Sequence, residues 1–138
     1  METEQKKLNY INKEFNTNFL FFEDIDWEYI SKNNKLSESF IKKFPDDVDW
    51  FWISVKQTLS ENFIREFQDY VDWLSISEYQ KLSESFIKEF KDNLDWECIS
   101  KYQNLSKEFL REFKNMIAWD VFLCREDIKD ILIDKIIN

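Results

Sequence analysis

The chain has 138 residues and a formal net charge of -9, long enough for one domain with a real core and acidic enough to repel nucleic acid and anionic membranes while suiting a basic protein surface. It contains no Gly, a single Pro and no His. The missing Gly removes the inexpensive positive-φ residue of tight hairpins and with it most β-rich folds, and an aromatic content of 18% excludes a disordered chain.

The first residues, METEQKK, are polar and do not resemble a signal peptide. No apolar run approaches the length that crosses a bilayer. The chain therefore reads as cytoplasmic and independent of membranes, with Cys98 and Cys124 as reduced, mostly buried thiols. Leu8, Ile11 and Phe15 fall on one helical face and predict a capping helix over 4–15. The following FLFFEDID predicts a degenerate second helix.

From Trp27 onward the sequence repeats. Trp27, Trp50, Trp73, Trp96 and Trp119 stand 23 residues apart. LSESFIKKF, LSENFIREF, LSESFIKEF and LSKEFLREF, which begin at Leu36, Leu59, Leu82 and Leu105, follow the same step. This is an internal repeat. Each copy holds two short helices. Asp26, Asp49, Asp72 and Asp95 precede the tryptophans as N-caps of the first. Ser37, Ser60, Ser83 and Ser106 cap the second, with Glu38, Glu61 and Glu84 favouring its first turn. Pro45 falls in a loop between copies, where a missing N–H does least harm. Helices of this length are marginal alone in water, so they must stack. The fold class is all-α: a compact α-solenoid of stacked short helical hairpins, about five units long. Residues 1–25 form the N-terminal cap, 26–118 four clear repeats, and 119–138 a degenerate repeat ending in an amphipathic helix, IKDILIDKIIN.

Most repeated residues read as scaffold. The Trp/Ile/Phe ladder is core. Ser31, Ser54, Ser77 and Ser100 are structural, because four equivalent serines without a His make no nucleophile. Gln57, Gln80 and Gln103 are expected to hydrogen-bond the connection to the next helix. Lys42, Arg65 and Lys88 are expected to pair with Asp46, Asp69 and Asp92 four residues later. Lys43 and Glu89, where two otherwise identical stretches differ, are expected to face solvent. No Asp-rich calcium loop, Cys/His cluster or Gly-rich phosphate loop exists. No enzyme activity, metal or cofactor is expected.

Function is sought where copies differ. Phe51 and Leu74 put apolar side chains where the outer copies are polar, Val55 replaces Lys32, Glu78 or Lys101, and Trp52 adjoins them, with Tyr79 and Tyr102 nearby in the pattern. Asp46 and Asp47 supply an acidic rim. Such a patch suits protein binding. It equally suits a flank buried against the termini or against a second copy in a homodimer.

The unit W-x-x-I-S-x-x-Q-x-L-S-E-x-F-I-R-E-F-x-D-x-V-D, carried by ENFIREFQDYVDW and SEYQKLSESFIKEFKDNLDW, resembles a short tandem repeat of large DNA viruses, bacteriophages and bacteria. The match spans about residues 26–119. Ala118 in place of the capping Asp and Lys107 in place of Glu depart from it. This resemblance implies a fold and no chemistry. The profile of a small, acidic, all-helical protein also resembles phage anti-defence proteins, including anti-CRISPR inhibitors. That second likeness implies an inhibitor of a basic, nucleic-acid-handling host protein, acting in the host cytoplasm without touching nucleic acid itself.

Overall fold

The computed structural model describes residues 3–128. They are all-helical, with no strand among them. Helix α1 (Glu4–Phe15) starts at Thr3, whose hydroxyl accepts from the Lys6 amide, and ends at Asn16 in the left-handed conformation. Asn12 then holds the exit turn: its side-chain oxygen accepts from Thr17 and from the Phe19 amide, and its amide donates to the Phe19 carbonyl. The predicted second helix in FLFFEDID is not formed. A single 3₁₀ turn covers Phe22–Asp24, and Leu20 and Phe21 are exposed. The turn begins at Phe21, which offers no side-chain cap, and the Thr17 hydroxyl ahead of it is engaged with Asn12, so the stretch lacks the start signal that the repeats possess.

The four repeats follow as predicted. The Trp helices are α2 (Trp27–Asn33), α4 (Trp50–Lys56), α6 (Trp73–Tyr79) and α8 (Trp96–Tyr102). The Ser helices are α3 (Glu38–Lys43), α5 (Glu61–Glu66), α7 (Glu84–Glu89) and α9 (Lys107–Glu112). Each Asp cap accepts from the amide three residues on, at Tyr29, Trp52, Ser75 and Cys98. Each Ser cap does the same for Phe40, Phe63, Phe86 and Phe109. Helix α10 (Trp119–Phe122) begins at Ala118 without a side-chain cap and is only 4 residues long. Ile128 is buried, and the rest of the predicted final helix lies outside the described residues.

The most extensive backbone approaches run between successive Trp helices, from α2 through α4, α6 and α8 to α10. Small side chains permit this: Ser31, Ser54, Ser77 and Ser100 have no exposed surface. The hydroxyls of Ser54, Ser77 and Ser100 each donate to the Trp carbonyl four residues earlier. All four accept an amide of the following unit, at Asp49, Asp72, Asp95 and Ala118. The core beside them is a ladder of Ile41, Ile53, Ile64, Ile76, Ile87 and Ile99, all fully buried. The Trp50, Trp73 and Trp96 rings each stack on the two Phe rings of their own unit, whereas Trp27 is tilted against Phe44 and Trp119 meets Phe122 edge-on. The indole N–H groups of Trp50, Trp73, Trp96 and Trp119 donate back to the turn after the preceding Ser helix, at Pro45, Gln68, Lys91 and Lys114.

Gln57, Gln80 and Gln103 are buried and reach in the opposite direction from that expected. Gln80 accepts from the Leu59 amide at 3.1 Å and donates to the carbonyls of Ser54 and Gln57, at 2.9 and 2.7 Å. Gln57 and Gln103 repeat the pattern one unit to either side. Each thus satisfies the connection of the preceding unit, since only an amide offers a donor and an acceptor at that reach. In the fifth unit the guanidinium of Arg125 donates to the equivalent carbonyls of Ser100 and Gln103.

The Ser helices are joined by longer side chains. Glu38 and Glu61 accept the amides of Ser60 and Ser83, the caps of the next unit, and Glu84 accepts that of Ser106. The Lys42, Arg65 and Lys88 cations pair with Glu66, Glu89 and Glu112 of the following unit, at 2.8, 2.8 and 2.7 Å. They do not pair with the aspartates four residues on, because a Glu of the stacked neighbour lies closer. Glu89 therefore is not idle at the surface: its carboxylate is held below its usual pKa by the Arg65 hydrogen bonds. Lys43, its counterpart, has no earlier repeat to pair with and lies over the Tyr10 ring of α1 at 4.3 Å.

Candidate functional site

The stack presents an outer face made by the second and last two positions of each Trp helix, joined by the third position except in α6, where Ser75 is buried. Every other position of these helices is committed to the interior. This face carries most of the predicted site. Phe51 and Leu74 occupy the same repeat position on the adjoining helices α4 and α6, and both are exposed, 51% and 55%. Phe51 meets Trp52 edge-on, ring centroids 5.0 Å apart. Trp52 is half-buried and is covered by the Lys32 ammonium, 4.3 Å from the ring centroid. Val55 is half-buried on the same helix.

Tyr79 and Tyr102 hold one repeat position on α6 and α8. Both are exposed, and they line a groove of about 280 Å³ between the third and fourth connections. They form a second cluster, displaced toward the C-terminal half. Glu78 beside Tyr79 pushes its phenol above the usual pKa. Lys101 is likewise raised, first by its hydrogen bond to Tyr102.

The two aspartates separate. Asp46 is exposed. Asp47 is half-buried and faces Lys7 of α1 across 3.6 Å, so its charge is directed at the N-terminal helix. On this face the sequence reading left out one exposed aromatic, Tyr29, which stands one unit before Trp52 at the same repeat position. The signal was present in that shared position.

Cys98 also lies on this face, half-buried on α8. Burial, then the hydrogen bond to Asp95, raises its thiol to about 11, which suppresses the nucleophilic thiolate. Cys124 is exposed, contrary to the expected burial. Its unit is the degenerate one, and the helix that would carry it inward stops at Phe122.

Among the described residues, no group of three or more Cys, Asp or Glu side chains is placed to hold a metal ion. No helix among them is long and apolar enough to cross a membrane. The arrangement offers contact surface: exposed apolar side chains on a rigid stack, with charged residues around them. Compared with known proteins, the chain matches no family model, no curated protein and no solved structure.

Proposed function

We propose that this protein is a non-catalytic binding module that docks on a partner protein through the outer face of its Trp helices. The observation that carries this reading is the exposure of Phe51 and Leu74 side by side where the outer repeats have Glu28 and Glu97. The scaffold gains nothing from an exposed Phe or Leu there, since equivalent units fold with a carboxylate. Clustered exposed apolar side chains are a recurrent mark of protein interfaces. The net charge of -9 favours a partner with a basic surface, by steering encounter.

In its most concrete form the module is a phage- or virus-type inhibitor. Its target is a basic, nucleic-acid-handling host protein such as a CRISPR effector, held without direct contact to nucleic acid. The resemblances of the repeat unit and of the overall profile support this version. The alternative is a self-assembling helical-repeat scaffold that uses the same face.

The test has two arms. Light scattering on the wild type and on Phe51→Glu/Leu74→Glu decides whether the face joins copies of this chain. A wild-type dimer that the double variant converts to a monomer would replace the partner reading with self-assembly. Adding the monomeric protein to DNA-cleavage assays of purified CRISPR effectors tests the inhibitor version. Inhibition that the double variant loses supports it; no inhibition across effector types removes it.

A further inference from the structure

The acidity of the chain is not uniform. One edge of the stack, where the Trp helices end and turn into the connections, covers 32–36, 55–59, 78–82 and 101–105. It carries Lys32, Lys35, Lys56, Lys81 and Lys101 against the lone acid Glu78. The same edge holds the largest concavities described on the molecule. A groove of about 330 Å³ lies between the first and second connections. One of about 280 Å³ lies at the equivalent place between the third and fourth. A third, about 450 Å³, lies between α8 and the segment that carries Arg125, but Glu126 and Asp127 line it beside Lys101 and Arg125, so the basic character belongs to the first two. The grooves recur because Gln57, Gln80 and Gln103 hold successive connections at one spacing. The first is lined by Lys32, Lys35 and Lys56 with no acid. The second adds the exposed rings of Tyr79 and Tyr102.

We propose that this basic edge is a docking groove for an extended, acidic peptide segment that runs along the stack. The edge adjoins the Phe51–Leu74 patch, since Lys32 lies over Trp52, but Phe51 and Leu74 themselves line neither groove, so the proposal does not depend on the reading of that patch. Charge complementarity selects the occupant, because Lys35, Lys56 and Lys81 are exposed along the two grooves between connections, where Glu78 is the one lining carboxylate. Geometry refines it. Helices packed side by side stand about 8–10 Å apart, and an extended chain in the polyproline II conformation advances about 3.1 Å per residue with about three residues per turn, so one repeat corresponds to about one turn and every third residue faces the same side. An acidic residue at every third position would meet at least one lysine per unit, with two, Lys32 and Lys35, in the first. The tyrosine rings supply flat apolar surface and hydroxyls for the intervening residues. A nucleic acid strand is the less favoured occupant, since its continuous charge is repelled by the rest of this acidic chain.

The probe is a fluorescein-labelled peptide of about twelve residues with Glu at every third position between Ser and Thr. Anisotropy is read at low ionic strength with the full chain. Binding is expected, weakening as salt rises. In Lys35→Glu/Lys56→Glu/Lys81→Glu, affinity should fall about tenfold or more. Lys91→Glu/Lys114→Glu, on the opposite edge, should stay within about twofold. A Lys35→Gln/Lys56→Gln/Lys81→Gln variant, with circular dichroism on all three, separates lost charge from lost fold. Absence of peptide binding overturns the proposal. So does equal loss in the two charge-reversal variants, an unaltered affinity in the folded Gln variant, or tighter binding of a single-stranded oligothymidine than of the peptide.

Discussion

The Trp helices and the Ser helices are built from the same repeat, yet they are joined in opposite ways. Trp helices touch closely, and the hydrogen bonds that join successive units there are uncharged and buried in the four clear repeats: the Ser hydroxyls and the Gln amides, with Lys32 over Trp52 as a charged contact at the outer face. Ser helices are bridged by long charged side chains at the surface, such as Lys42 to Glu66. Buried hydrogen bonds have no water to replace them, so their loss is costly. Exposed ion pairs exchange with water and salt at little net cost. The Trp layer therefore sets the register of the stack, and the Ser layer tolerates change. This also explains why the candidate binding patch can vary: it lies on the outer side of the layer whose inner side is most constrained.

Gln80→Ala would break the comparison most severely. It leaves the Leu59 amide and the Ser54 and Gln57 carbonyls without their partner, and should cost about 3–4 kcal/mol in urea denaturation. Because repeats unfold as a coupled one-dimensional array, the transition should also broaden. A loss below about 1 kcal/mol would show that water enters the connection freely.

Thiol labelling sharpens the same contrast without perturbing the fold. With its thiol raised to about 11, Cys98 is almost wholly protonated at pH 8, and only the thiolate reacts. Cys98 should alkylate about a hundredfold more slowly than exposed Cys124, with a rate that rises with pH toward 11. Mass spectrometry of peptides reads both sites. Equal rates would mean that the α8 face opens readily.

Ser77→Ala removes the acceptor for the Asp95 amide. The expected loss is about 1–2 kcal/mol by denaturant midpoint. On the Ser layer, a double-mutant cycle of Lys42→Ala and Glu66→Ala should return a coupling of about 0.5 kcal/mol or less, vanishing at high salt. A coupling as large as the Ser77 effect would erase the distinction between the layers.

Much of the fold could be read before any coordinates. The repeat step, both helix starts and the capping helix α1 follow from local rules: an Asp or Ser cap, then apolar residues on one face. FLFFEDID misled for a related reason. Its apolar content suggests a helix, but nothing in it starts one. The partners of Lys42, Arg65 and Lys88 were misassigned because a local rule favours residues four apart, and stacking brings a Glu from the next unit closer. The Phe51, Trp52 and Leu74 patch was legible as a departure from the repeat. Its division from Tyr79 and Tyr102 was not, nor was the diversion of Asp47 toward Lys7.

The sequence by itself determined the period, the helices and the identity of the core, because those depend on residues within one unit. Tertiary structure alone decided the direction in which Gln80 reaches, the use of Glu61 on Ser83, and the gathering of five lysines along one edge of an acidic protein. These depend on which neighbour lies across the interface, and a side chain separated by about 23 positions becomes a neighbour only when the units stack.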